Sequence, residues 1–219
     1  MREIFDAELT QLGDDLVAMA RQVEAAIESA GRALLTADLP LAESVIADDL
    51  AIDAMNSELD ERCVTLLARQ QPVATDLRVI VSGLRIASTL ERMGDLARHV
   101  AQVARRCYPE RAVPEQAVDL ITAMGAAAEH VADRTVRLLS TRDLAVAEAI
   151  ERDDDQLDEL HTASFAMQLG GQWTGTAQQA VDLTLLARYY ERFGDHGVAV
   201  AGRIRYLVTG EWPDGSEYH

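Results

Sequence analysis

A chain of 219 residues, 48% of them hydrophobic, is long enough to bury a sizeable core as one large domain or two small ones. Its formal net charge of −17 argues against binding a phosphate backbone, so nucleic acid is not an expected partner. No apolar run approaches the roughly 20 residues that cross a bilayer, so membrane insertion is not expected either.

With 5 Pro, 13 Gly and 5% aromatics in an Ala-, Leu-, Arg- and Glu-rich chain, the composition favours helices. Apolar residues recur at helical spacing nearly everywhere, and no run alternates as a half-buried strand would. Breaks at 36–40, 70–75, 108–116, 140–143 and 170–175 leave six helices near 3–36, 40–69, 74–107, 114–140, 143–169 and 175–208. Pro40 and Pro114 fall where a first helical turn tolerates proline, and Asp38 and Asp143 suit N-caps. Helices this long, joined by short loops, pack as antiparallel bundles.

The two halves repeat each other. "LLTADLPLAESVIADDLAID" from Leu34 aligns with the stretch from Leu139, which sets Asp49 on Asp154 and Asp53 on Asp158. "LERMGDLARHV" from Leu90 returns as "YERFGDHGVAV" from Tyr190. The expected fold is all-α, two tandem three-helix repeats related by a pseudo-twofold: 1–109, 110–209 and a tail at 210–219. The linker is short enough that one compact molecule is expected.

Cys63 and Cys107 are far apart and lack metal-ligand spacing, as expected of two reduced thiols. The opening "MREIFDAEL" is charged at once and does not resemble a signal peptide, so the expected location is the cytoplasm.

Acidic pairs carry the chemistry. Residues at i and i+4 of a helix point the same way, so Glu91 with Asp95, Glu191 with Asp195, Asp49 with Asp53 and Asp154 with Asp158 each share a face. Like charges at this spacing weaken a helix by roughly 0.2–0.5 kcal/mol. Gly94 and Gly194, in the same turns, each cost about 0.8–1 kcal/mol against alanine. The line behind Glu91 (Ala87, Leu84, Ile80) is apolar, and small residues also precede Glu191, so these acids extend an inward or groove-facing stripe. Two readings follow. Arg92, Arg98, Arg188 and Arg192 could close the pairs as salt bridges. Alternatively, the eight acids form cation sites whose oxygen ligands suit magnesium, calcium, manganese or iron.

The paired "ERMGD" and "ERFGD", with the preceding "ATDLR" and the doubled three-helix pattern, resemble the PhoU family over essentially the whole chain. The resemblance implies a non-enzymatic accessory regulator of high-affinity phosphate transport. It implies metal at Glu91, Asp95, Glu191 and Asp195, with Asp49, Asp53, Asp154 and Asp158 as companions. The ion would be iron or another divalent or trivalent metal such as manganese, magnesium or zinc. Implied partners are the ATPase of a phosphate ABC transporter and a sensor histidine kinase, whose starvation response is repressed when phosphate is plentiful; a homodimer is left open. The family often follows the motif's Asp with His, and places Asn four residues past it. Here Leu96 and His196 occupy the first position, and His99 and Ala199 the second, so equal metal binding by the halves is an open question. His99 is one candidate nitrogen ligand.

Two alternatives stand beside this reading. A carboxylate-bridged di-metal enzyme usually needs Glu-x-x-His on two helices, and Asp158–His161 has that spacing with no matching second copy. A metal-free helical adaptor would use the acids for salt bridges alone.

Overall fold

Helix starts are set locally. The Asp38 carboxylate accepts from the Leu41 N–H at 3.0 Å, and the Asp143 carboxylate accepts from Ala145 N–H at 2.9 Å, so both expected N-caps form. Thr176 adds a capping box with Gln179, which satisfies two backbone donors reciprocally at the start of the last helix.

The structure, a computed structural model, describes residues 2–211. Its helices are α1 (Arg2–Thr36), α2 (Leu39–Gln70), α3 (Ala74–Cys107), α4 (Val118–Thr141), α5 (Leu144–Leu169) and α6 (Ala177–Thr209). No strand is present among the described residues. Five of the six helices start within two residues of expectation. The exception is α4, expected from 114: a 3-10 turn, Glu115–Ala117, comes first. In that turn the Ala117 N–H donates to Pro114 O at 2.8 Å, and no side chain caps the start of α4. The expected tail overlaps the described residues only at Gly210 and Glu211; 212–219 lie outside them.

Within each half the three helices pack on one another. The halves meet through α1 on α4 and α3 on α6, each helix against its own counterpart, which is the contact pattern a twofold produces. Equivalent positions do equivalent work. Met19 and Met124 are fully buried, as are Ala42 and Ala147, Met93 and Phe193, and Val100 and Val200. All belong to a single continuous core, so the two repeats share one interior. Each large side chain of this kind contributes roughly 1.5–3 kcal/mol by leaving water.

Small residues decide where α3 and α6 meet the outer helices. At Gly94 an added Cβ would stand 3.0 Å from Ile52 Cδ1 and 3.4 Å from Asp49 Oδ1. At Gly194 it would stand 2.8 Å from Leu157 Cδ1 and closer still to Asp154 Oδ1. The glycines that weaken their helices thus admit the neighbouring helix, and its aspartate, to the turn carrying the motif.

Candidate metal centre

In the first half, α2 supplies Asp49 and Asp53, and α3 supplies Glu91 and Asp95. Asp49 is 5% exposed, Glu91 and Asp95 are half-buried, and Asp53 faces solvent. Arg98, one turn beyond Asp95, reaches across the helix interface. Its Nε lies 2.8 Å from Asp49 Oδ2, an ion-pair distance, although the N–H is poorly directed for a hydrogen bond. Its Nη2 donates to Asp95 Oδ1. Arg92 lies outside this bridge, with Nε 3.4 Å from Glu91 Oε2 and Nη1 3.4 Å from Asp95 Oδ2. Burial raises the pKa of Asp49; the Arg98 charge opposes it, and Asp53 and Asp95 add to it. Burial also raises Glu91, reinforced by Asp95 and opposed by Arg92.

In the second half, α5 supplies Asp154 and Asp158, and α6 supplies Glu191 and Asp195. Glu191 is 8% exposed. Arg188, one turn before it, donates through Nη1 to Glu191 Oε1. The other oxygen, Oε2, is buried and has no hydrogen-bond partner among the described residues, and the same holds for Asp154 Oδ1. No arginine of the described residues pairs with Asp154, Asp158 or Asp195. Burial pushes the Asp154 carboxyl up to about 7, and the charges of Asp195, Asp158, Asp155 and Glu191 all push the same way. Glu191 is also raised, by burial first and then by Asp195, against the Arg188 charge.

The structure thus brings the eight acids together in two groups of four, each spanning an outer helix and its inner neighbour. Among the described residues no three His, Cys, Asp or Glu side chains converge tightly enough to form a ready-made metal cage. The second group nevertheless fits a cation on its own chemistry, having two buried, partnerless carboxylate oxygens and an all-oxygen donor set of four acids. In the first group a guanidinium already occupies the space between helices.

The histidines divide differently. His99, the candidate nitrogen ligand, stacks on Tyr189 of α6 with ring centroids 5.1 Å apart, which turns it toward the seam between the halves. Burial and then Arg98 lower its pKa. His161 packs on Phe165 at 4.9 Å and feels the charges of Arg188 and Asp158, beside the second group.

Another buried acid has no motif. Asp182 on α6, 1% exposed, accepts from Arg106 Nη2 at 2.5 Å and Gln178 Nε2 at 2.9 Å, tying the end of α3 to the start of α6. Its partner Arg106 lies 76 residues away, and no local spacing announces the pair.

Six helices in two repeats, with the acids gathered where each repeat's outer helix meets its inner neighbour, define a doubled all-α protein. The PhoU domain model matches this chain twice, over residues 16–104 and 121–204. The chain is 39% identical over 213 residues to the "Phosphate-specific transport system accessory protein PhoU homolog 2" of Mycobacterium tuberculosis, covering 97% of this chain and 100% of that one. Its fold is similar to the crystal structure of PhoU from Pseudomonas aeruginosa, with TM-score 0.85 and 29% identity over 94% of this chain and 100% of that one. It is equally similar, with TM-score 0.85 and 27% identity, to the phosphate transport system regulatory protein PhoU from Streptococcus pneumoniae, covering 96% and 99% of the two chains. The chain belongs to the PhoU family.

Proposed function

We propose that this protein is a cytoplasmic accessory regulator of phosphate uptake, a metal-binding helical adaptor without catalytic activity. It works between the ATPase of a phosphate ABC transporter and a sensor histidine kinase, and it represses the starvation response when phosphate is plentiful. The accessory role is supported by similarity along nearly the full length to relatives carrying that description. None of the described helices is long and apolar enough to cross a membrane, which accords with an adaptor that docks on a transporter.

One observation carries the metal-binding half of the reading: half-buried Asp154 and buried Glu191 each keep a buried carboxylate oxygen without a hydrogen-bond partner among the described residues, beside Asp158 and Asp195. A buried, unpaired carboxylate is costly, and such groups are ordinarily protonated, paired or bound to a metal. A bound iron, manganese, magnesium or zinc ion would supply charge neutralisation there and no turnover. Asp158 and Asp195 are exposed, so their carboxylates can rotate to complete a ligand set around Asp154 and Glu191. With the acids neutralised, α5 is held to α6 and the faces of this acidic bundle keep one shape for a partner. Metal-free adaptor behaviour has support in the first half, where Arg98 pairs with Asp49 and Asp95.

The test is affinity capture from cells grown in high and low phosphate, with the wild type and an Asp95→Ala/Asp195→Ala double variant. The wild type should co-purify with the transporter ATPase and the kinase, and the variant should carry less metal and leave the response derepressed in high phosphate. Normal loading and normal repression by the variant would remove the acids from the account. Failure to capture either partner in both conditions would remove the adaptor.

A further inference from the structure

We infer that the two halves are unequal toward cations: the second group binds metal, while the first is closed by the chain's own Arg98, whose guanidinium stands where a metal would. This rests on the metal-binding reading above and specifies which half of the molecule carries it.

The argument starts from register. The repeat that sets Glu91 on Glu191 and Asp95 on Asp195 also sets Arg98 on Val198. Arg98 joins a carboxylate of α2, Asp49, to one of α3, Asp95, which is the bridging task a cation would perform between the same helices. A guanidinium does this permanently, because it stays charged and cannot dissociate from the chain. Val198 offers no charge and packs its side chain against the core.

The consequences appear at the partner acids. In the first group Asp49 is almost fully buried, and the Arg98 Nε stands 2.8 Å from its Oδ2. In the second group no arginine pairs with the equivalent Asp154, and its buried Oδ1 has no hydrogen-bond partner among the described residues. The second group has its own arginine, Arg188, where the first half has Ser88. Arg188 engages a single oxygen of Glu191 on its own helix and leaves Oε2 buried and free, so it does not link α5 to α6 as Arg98 links α2 to α3. His161, beside Asp158, adds a nitrogen donor at a position where the first half has Asn56. Four partly desolvated acids, with Glu191 92% out of solvent and paired through one oxygen to Arg188, leave a deficit of positive charge that a cation fills.

Metal binding by register-swapped variants decides the matter. Chelator-stripped full-length protein is titrated with manganese(II), the free ion being read by electron paramagnetic resonance and the heat by calorimetry. Circular dichroism melting confirms that each variant is folded. The wild type should show one class of site. Val198→Arg should weaken manganese binding at least tenfold, whereas Val198→Leu, which keeps an apolar side chain there, should retain it. Arg98→Val should add a second set of bound ions. If Arg98→Val does not fold, the contrast between Val198→Arg and Val198→Leu decides alone. Two equal sets in the wild type, undiminished binding by Val198→Arg, or a folded Arg98→Val that gains nothing would overturn the inequality and leave metal binding itself standing. No binding of manganese or iron by any form would instead remove the metal-binding reading, and this proposal with it.

Discussion

On α3, Arg98 reaches from Asp95 to buried Asp49; at the same register on α6 stands Val198, and Asp154 faces its acidic neighbours with no arginine paired to it among the described residues. The acids themselves match residue for residue across the halves, and so do the glycines that admit the neighbouring helix. The counter-charges do not match: Arg98 faces Val198, and Ser88 faces Arg188. Duplication has therefore kept the motif and changed what neutralises it. One half is held by an internal ion pair, and the other is left with a demand for positive charge that the described residues do not meet.

The comparison can be broken most forcefully by metal itself. A ligand that binds only the folded state at a hundredfold excess over its Kd stabilises by about 2.7 kcal/mol. For a chain of this size that is a rise in melting temperature of roughly 5–10 °C. Scanning calorimetry with and without chelator should show this rise in the wild type and little of it in Val198→Arg.

Removing the internal cation comes next. Arg98→Ala leaves Asp49 buried without its counter-charge and should cost about 1–3 kcal/mol in urea unfolding of the metal-free protein. Adding Asp49→Asn should recover part of that loss, because the two residues act as a pair. Strict additivity would mean that the bridge holds nothing together.

The glycines should respond unequally. Gly194→Ala drives a methyl into Asp154 and Leu157, and should destabilise by about 1–2 kcal/mol after the gain in helix propensity is counted. Gly94→Ala meets looser contacts at Ile52 and Asp49 and should come within about 1 kcal/mol of the wild type. Equal effects would show that the two helix pairs are equally tight.

A last contrast lies in the response to pH. The folded, metal-free protein holds a proton on Asp154 up to about 7, whereas an unfolded aspartate releases it near 3.8. Folding therefore binds a proton in that window, and this group's contribution to stability falls as pH rises from about 3.8 toward 7 and levels off above it. Melting in chelator at pH 5.5 and 7.5 should show a smaller drop for Asp154→Asn than for the wild type. An identical drop would mean that Asp154 titrates normally.

Much of this architecture was legible in the sequence because its causes are local. Asp38 and Asp143 cap the helices they precede, and the apolar periodicity marks the helix ends. The i, i+4 acids point to one side because helix geometry requires it. The start of α4 departs from expectation because a proline followed by an uncapped turn fits a 3-10 segment as well as an α-helix. The Thr176–Gln179 capping box is local as well, a threonine three residues before a glutamine. The charge pairing was out of reach for a different reason. Whether Arg98 meets Asp49 depends on the rotation of α2 against α3, and no spacing along the chain encodes that. The buried Arg106–Asp182 pair and the Arg134–Asp153 pair between α4 and α5 are further cases.

The most direct test of the central claim is anomalous X-ray scattering from crystals of the manganese-loaded protein. The account predicts a strong peak among Asp154, Asp158, Glu191 and Asp195, and none among Asp49, Asp53, Glu91 and Asp95, where Arg98 remains in place. Peaks of equal height in both groups, or a peak in the first group alone, would contradict it.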